Sequence, residues 1–231
     1  REHWCQGFSE PGSGSDLASL STRATPRGDD WVISGQKVWT SFAQFSARCV
    51  LLTRTGSPDT PKHQGITAFF VDMDTPGITV RPLRTMHGVD EFCEVYFDDV
   101  VVPAGRMLGR PGDGWQLAND LLPYERSTCF WQRIAYLFTR LDRLIAESTD
   151  ADSDLELGAA YLALHTVRCR SAGTQRRFAE GARLGAETSI DKVLVATAEQ
   201  ATYEAVRRLL PGVVEMDDSV AGAVWRSEYL Y

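Results

Sequence analysis

The chain has 231 residues, a net charge of −7 and a pI near 5.1, with 43% hydrophobic and 24% charged residues. That length can bury a sizeable core in one large or two modest domains. The acidic balance argues against a broad nucleic-acid or anionic-membrane surface, and no long apolar run or signal-peptide pattern predicts membrane spanning or secretion.

Near its start the chain carries Gln6-Gly7-Phe8-Ser9-Glu10-Pro11-Gly12-Ser13-Gly14-Ser15-Asp16. Pro11 fixes its φ and offers no donor, so a turn is expected there. Gly12 and Gly14 permit positive φ and close backbone approach, and Ser13 and Ser15 add donors. Such a loop can cradle a phosphate or the edge of a heteroaromatic ring. It is equally the composition of a plain surface turn, and it is not a G-x-G-x-x-G fingerprint.

Short β-rich runs follow: Trp31–Ile33, Lys37–Thr40, Cys49–Arg54, Ile66–Val71, Ile78–Pro82 and Phe92–Phe97. Gly28-Asp29-Asp30, Ser34-Gly35, Gly56-Ser57-Pro58 and Pro76-Gly77 mark the expected turns. This spacing predicts an antiparallel sandwich or barrel-like domain. Val100-Val101-Val102-Pro103 closes it, and the glycine-rich stretch from Gly105 to Gly114 sets a boundary between residues 1–112 and 113–231. The apolar period then becomes helical, from Gly114 to Ile145, Leu155 to about Ala182, Ser189 to Leu210 and Ser219 onward. The fold class is therefore α+β, a β-domain followed by an α-helical bundle.

Five widely spaced cysteines (Cys5, Cys49, Cys93, Cys129, Cys169) carry no C-x-x-C pattern. They are expected as buried free thiols in a reducing cytoplasm, with no metal site. The four histidines have no nucleophile, metal or acid partner in sequence and read as structural or surface groups.

Ser9 to Asp16 (SEPGSGSD) and Gly35 to Ser41 (GQKVWTS) resemble the acyl-CoA dehydrogenase family. Its members carry a TEPGxGSD loop and a GxKxWIT strand in a central β-domain. The resemblance implies that this chain is the middle β-domain plus part of the C-terminal helical domain, cut at both ends. It implies FAD as cofactor, contacted by Gln6, Phe8, Ser9, Gly14, Ser15, Trp39, Thr40 and Ser41. Thr40 and Ser41 depart from the usual Ile-Thr, and Phe42-Ala43 from Asn-Gly.

A dehydrogenase of this kind removes an α-proton from a thioester while a hydride leaves the β-carbon. A carboxylate can do so only in a dry site with the carbonyl polarised. Leu121-Leu122-Pro123-Tyr124-Glu125-Arg126 resembles the LDLER segment that carries the base in isovaleryl-CoA-type members, which makes Glu125 the candidate base. Other members place the base near the end of the chain, and a surface glutamate paired with arginine is the ordinary alternative. By the same match Arg126 contacts CoA, and Tyr124 and Ser15 join the substrate side.

The family's Arg-x-x-Phe-Gly segment, which reaches FAD of a neighbouring subunit, has no counterpart in the acidic stretch Ile145 to Glu156. Arg176-Arg177-Phe178-Ala179 echoes it faintly and late. The implied partners are an acyl-CoA substrate, an electron-transfer flavoprotein and a homo- or hetero-tetramer, with no nucleic acid and no membrane. The implied setting is bacterial fatty-acid oxidation. A non-catalytic partner subunit and an oxidase are the alternative readings.

Overall fold

The computed structural model describes residues 2–127, 129–148 and 153–231. They form two compact units, Arg1–Ala118 and Asn119–Tyr231. The first holds strands β1 (Trp4–Gly7), β2 (Arg23–Arg27), β3 (Asp30–Ser41), β4 (Arg48–Arg54), β5 (Ile66–Asp72), β6 (Ile78–Leu83), β7 (Phe92–Pro103) and β8 (Met107–Leu108). They join one sheet in the order β6-β7-β3-β2-β4-β5-β8, with β1 paired to β4.

Most pairings are antiparallel, as the short alternating runs imply. Within that frame β1 and β2 both run parallel to β4, and β2 meets β4 only at Arg23 opposite Arg54. The sheet core gathers Ile33, Cys49, Leu51, Phe69, Val95 and Phe97. A smaller core collects Phe8, Leu20, Leu52, Ile66 and Ala118.

Ser34-Gly35 is not a turn. It lies inside the continuous β3, opposite a bulge in β7 where Asp99 takes a φ of 48°. Ser34 Oγ donates to Asp99 Oδ1 at 2.7 Å, so the polar side chains serve the bulge. Gly35 is required by close approach: its φ is 151°, and a Cβ there would sit 2.6 Å from the Thr22 Cα. Gly35→Ala is therefore expected to destabilise the protein by about 2 kcal/mol or more, read as a lowered urea midpoint with an unchanged slope.

The second unit carries α2 (Phe130–Glu147), α3 (Asp154–Ala179), α4 (Ser189–Leu209) and α5 (Val220–Leu230); α1 (Gly114–Glu125) leads into it. The run expected as one helix from Gly114 to Ile145 is thus two. Pro123 offers no N–H to the preceding turn, and α1 ends two residues later. Ile134, Leu137, Leu141 and Leu144 recur at three and four residues along α2 and are buried together with Leu164, Val167, Val206 and Trp225. Ser219 caps α5 by accepting from the Gly222 amide at 3.1 Å. Of the acidic stretch Ile145 to Glu156, residues 149–152 lie outside the described residues.

Cys5, Cys49 and Cys93 are buried free thiols, but Cys129 and Cys169 are exposed. Cys129 flanks the start of α2, and Cys169 stands on the outer side of α3, one turn from His165. Among the described residues no helix is long and apolar enough to cross a membrane.

Candidate functional site

The loop after β1 closes tightly. The Glu10 and Ser13 backbones exchange two hydrogen bonds of 3.0 Å around Pro11-Gly12, and Ser13 Oγ donates to the Asp16 carbonyl at 3.1 Å. Gly12 and Gly14 do not use the positive φ expected of them. A Cβ at either would meet nothing within 4 Å, so nothing in the chain itself demands glycine there. Gly14 and Ser15 are exposed, Ser9 is half-buried, and Gln6 points outward from β1. Phe8 buries its ring in the smaller core, which leaves its backbone to face the loop.

Two side chains that motif reading passed over hold this loop. Lys37, on β3, is fully buried and donates to Glu10 Oε1 at 2.8 Å and to the Phe8 carbonyl at 3.0 Å. The Glu10 carboxylate also accepts from the Ser21 amide (2.6 Å), the Ser21 hydroxyl (2.7 Å) and the Thr22 amide (2.8 Å). Burial alone would raise the Glu10 carboxyl, but the Lys37 ammonium and these hydrogen bonds hold it at about 2. Burial pushes the Lys37 ammonium below its ordinary value, against the pull of Glu10.

The sign of the pH dependence follows. A carboxyl depressed from 4.5 to about 2 in the folded chain contributes stability above pH 4.5 that is lost as pH falls toward 2. At 1.36 kcal/mol per pH unit, the expected loss is about 3 kcal/mol. Denaturant titrations from pH 6 to pH 2.5 check it, and Glu10→Gln should flatten that segment of the curve.

Immediately after Lys37 the Val38 amide donates to the Ser9 carbonyl at 3.0 Å, a second tie between strand and loop. β3 then bulges: the four residues Lys37 to Thr40 face three on β7, Cys93 to Val95. Trp39 takes a φ of 61° in the left-handed region and is 60% exposed, resting edge-on against Phe92 at 5.8 Å. Thr40 Oγ1 is buried with no hydrogen-bond partner among the described residues, and Ser41 is exposed. The first unit thus presents an open glycine loop and a strained, exposed indole, with a buried hydroxyl at the next residue.

In the second unit the α1 end carries the other candidates. Tyr124 stacks on Phe178 at 4.6 Å and 18°. Arg126 Nη1 donates to Ser189 Oγ at 2.9 Å, and Arg183 pairs with Asp120 at 2.6 Å. Glu125 Oε2 and Ser127 Oγ are buried without a hydrogen-bond partner among the described residues. A buried unpaired carboxylate oxygen is costly, and functional sites are where such atoms persist. Phe178, from the faint Arg-Arg-Phe-Ala echo, is thereby placed against Tyr124.

The sequence model of the acyl-CoA dehydrogenase middle domain matches residues 5–100, which include the loop and the β3 motif. The chain is also 42% identical over 179 residues to acyl-CoA dehydrogenase IpdE1 of Mycobacterium tuberculosis, spanning 75% of this chain and 46% of that protein. The chain belongs to the acyl-CoA dehydrogenase family. Acyl-CoA dehydrogenase FadE34 of the same organism is 41% identical over 217 residues, 90% of this chain and 30% of that one. The ChsE4–ChsE5 complex from Mycobacterium tuberculosis superimposes with a TM-score of 0.82 at 25% identity, covering 99% of this chain and 62% of the compared chain. This acyl-CoA dehydrogenase relative spans less than half the length of either curated protein. Glu10, Lys37 and Trp39 lie inside the matched middle domain, whereas Glu125 and Arg126 lie beyond it.

Proposed function

We propose that the chain contributes flavin-binding and thioester-handling residues to an FAD-dependent acyl-CoA dehydrogenase. The observation that carries this reading is the strained, exposed Trp39 beside a loop whose glycines nothing in the chain requires. A left-handed tryptophan costs about 1–3 kcal/mol, and its face finds no cover in its own unit to offset that cost. A flat heteroaromatic ring fits that face, and the backbone of a side-chain-free loop fits a pyrophosphate.

Gln6, Phe8, Ser9, Gly14, Ser15, Trp39, Thr40 and Ser41 are the residues that would hold FAD. The buried Thr40 hydroxyl, at the residue after Trp39, offers a donor with no partner among the described residues. When bound, FAD supplies the acceptor for the β-hydride. Glu125, half-buried at the end of α1, takes the α-proton on a carboxylate oxygen that has no partner among the described residues. Arg126, braced by Ser189, offers a charged fork to the polyanionic CoA, and Tyr124, held flat on Phe178, lines the thioester side. Ser15, exposed on the loop of the first unit, is the further residue that would touch the substrate. The partner that would accept the electrons is an electron-transfer flavoprotein.

A second reading is supported by the likeness to the ChsE4–ChsE5 complex, which contains two differently named chains. In it this chain pairs with an unlike dehydrogenase chain and shares flavin sites. One measurement separates the readings: released flavin per chain in the full-length protein, followed by anaerobic titration with acyl-CoA thioesters. About one FAD per chain with bleaching supports a complete site, and about half supports the heteromer. A folded protein with neither flavin nor thioester response would sink both.

A further inference from the structure

The Glu10–Lys37 pair takes no part in the proton or hydride chemistry assigned above. It is nonetheless the most deeply sequestered ion pair among the described residues, with side chains 4% and 0% exposed. A pair at that depth returns little net stability, because desolvation consumes most of the Coulombic gain, and two apolar side chains of similar size would fill the space as well. What two apolar side chains would not do is make the bonds these groups make.

Those bonds join three separate segments. Lys37 reaches from β3 to the Phe8 carbonyl, and Glu10 reaches from the loop to Ser21 and Thr22. The next residue on β3, Val38, ties the Ser9 carbonyl, and the one after it is the left-handed Trp39. The backbone of residues 8–10 and the departure point of the indole are therefore fixed by one connected network. We infer that Glu10 and Lys37 are positioning residues, whose buried pair sets the SEPGSGSD loop against the Trp39 face in the geometry that receives the flavin. The inference rests on the flavin-binding reading proposed above and assigns these two residues a task that fold stability alone does not need.

The test replaces both charges at once in the full-length protein. Glu10→Leu with Lys37→Met keeps the volume and removes the buried charge but leaves the Phe8 carbonyl and the Ser21 and Thr22 amides without these partners, so the melting temperature should fall by roughly 5–10 °C while the protein stays folded. FAD affinity, measured by flavin-fluorescence quenching on apoprotein, should nonetheless fall about tenfold or more. The visible band of the bound flavin should shift as its surroundings loosen. A doubly substituted protein that binds FAD with parental affinity and an unaltered band overturns the inference. So does one whose melting temperature collapses, since the pair would then be a stability element. Ser21→Ala is the milder companion: its hydroxyl contacts the Glu10 carboxylate at the edge of the network. It should weaken FAD binding about threefold at constant melting temperature, and parental affinity there counts against the inference too. A parent protein that takes up no FAD overturns the flavin reading itself, a result distinguishable from the others.

Discussion

Glu125→Gln is expected to lower turnover of an acyl-CoA thioester by about 10³-fold, with flavin content and substrate affinity held within about threefold. Glutamine keeps the volume and planar shape of the side chain, so packing at the end of α1 is preserved. It cannot accept a proton at the α-carbon, and a positioned general base is worth roughly 10²- to 10⁴-fold. The same substitution has its own expected effect on stability. Glu125 Oε2 is buried and makes no hydrogen bond among the described residues, so removing its charge breaks none of the bonds described there and relieves a desolvated oxygen. The melting temperature should therefore stay level or rise. Steady-state kinetics with separate kcat and KM, alongside a thermal melt, check both halves. Turnover within about tenfold of the parent would remove Glu125 from the base role and move the search to another carboxylate.

The strands β4 to β7 were legible because each is a short β-rich run between recognisable turns, β4 and β5 as near-continuous apolar runs. Cys49–Arg54 and Ile66–Val71 fall one residue inside the observed elements at the end where they differ. β1, β2 and β8 were not. Trp4–Gly7 merges into the glycine loop, Arg23–Arg27 contains Pro26 and buries only Ala24, and Met107–Leu108 is two residues long. Their membership is decided by partners across the sheet, which local pattern does not carry. Ser34-Gly35 misled for the same reason: its chemistry suits a turn, but β7 supplies the bulge that uses it.

The site was legible through its motif letters and illegible in its wiring. Glu10 and Lys37 stand 27 residues apart, and neither residue type suggests full burial. One signal was available: Lys37 is one of three lysines in a chain whose positive charge is otherwise arginine, and it sits mid-strand among apolar neighbours. The split of the first helix was foreshadowed by Pro123. The exposed cysteines were not, since thiols carry no phase information on a helix whose apolar pattern is diffuse.

Trp39→Gly is expected to weaken FAD binding by roughly 10- to 100-fold while changing the melting temperature by only a few degrees. Two terms nearly cancel in the fold. Glycine relieves the left-handed strain of a bulky residue, about 1–2 kcal/mol, and removes the edge contact to Phe92 together with the buried fraction of the ring. With the indole 60% exposed, that lost burial is partial and of similar size. Nothing cancels on the ligand side, where stacking of a flat heterocycle on an aromatic face is worth about 1–3 kcal/mol. Trp39→Phe keeps a face and the strain, so its FAD affinity should fall only a few-fold. Fluorescence titration of apoprotein and calorimetric melts on the same samples give both quantities. A large drop in melting temperature with parental FAD affinity would make Trp39 a core residue that happens to be exposed. The expected split says the opposite: a chain that holds tryptophan in a conformation glycine would adopt freely, with its face turned outward, keeps it there for something that binds.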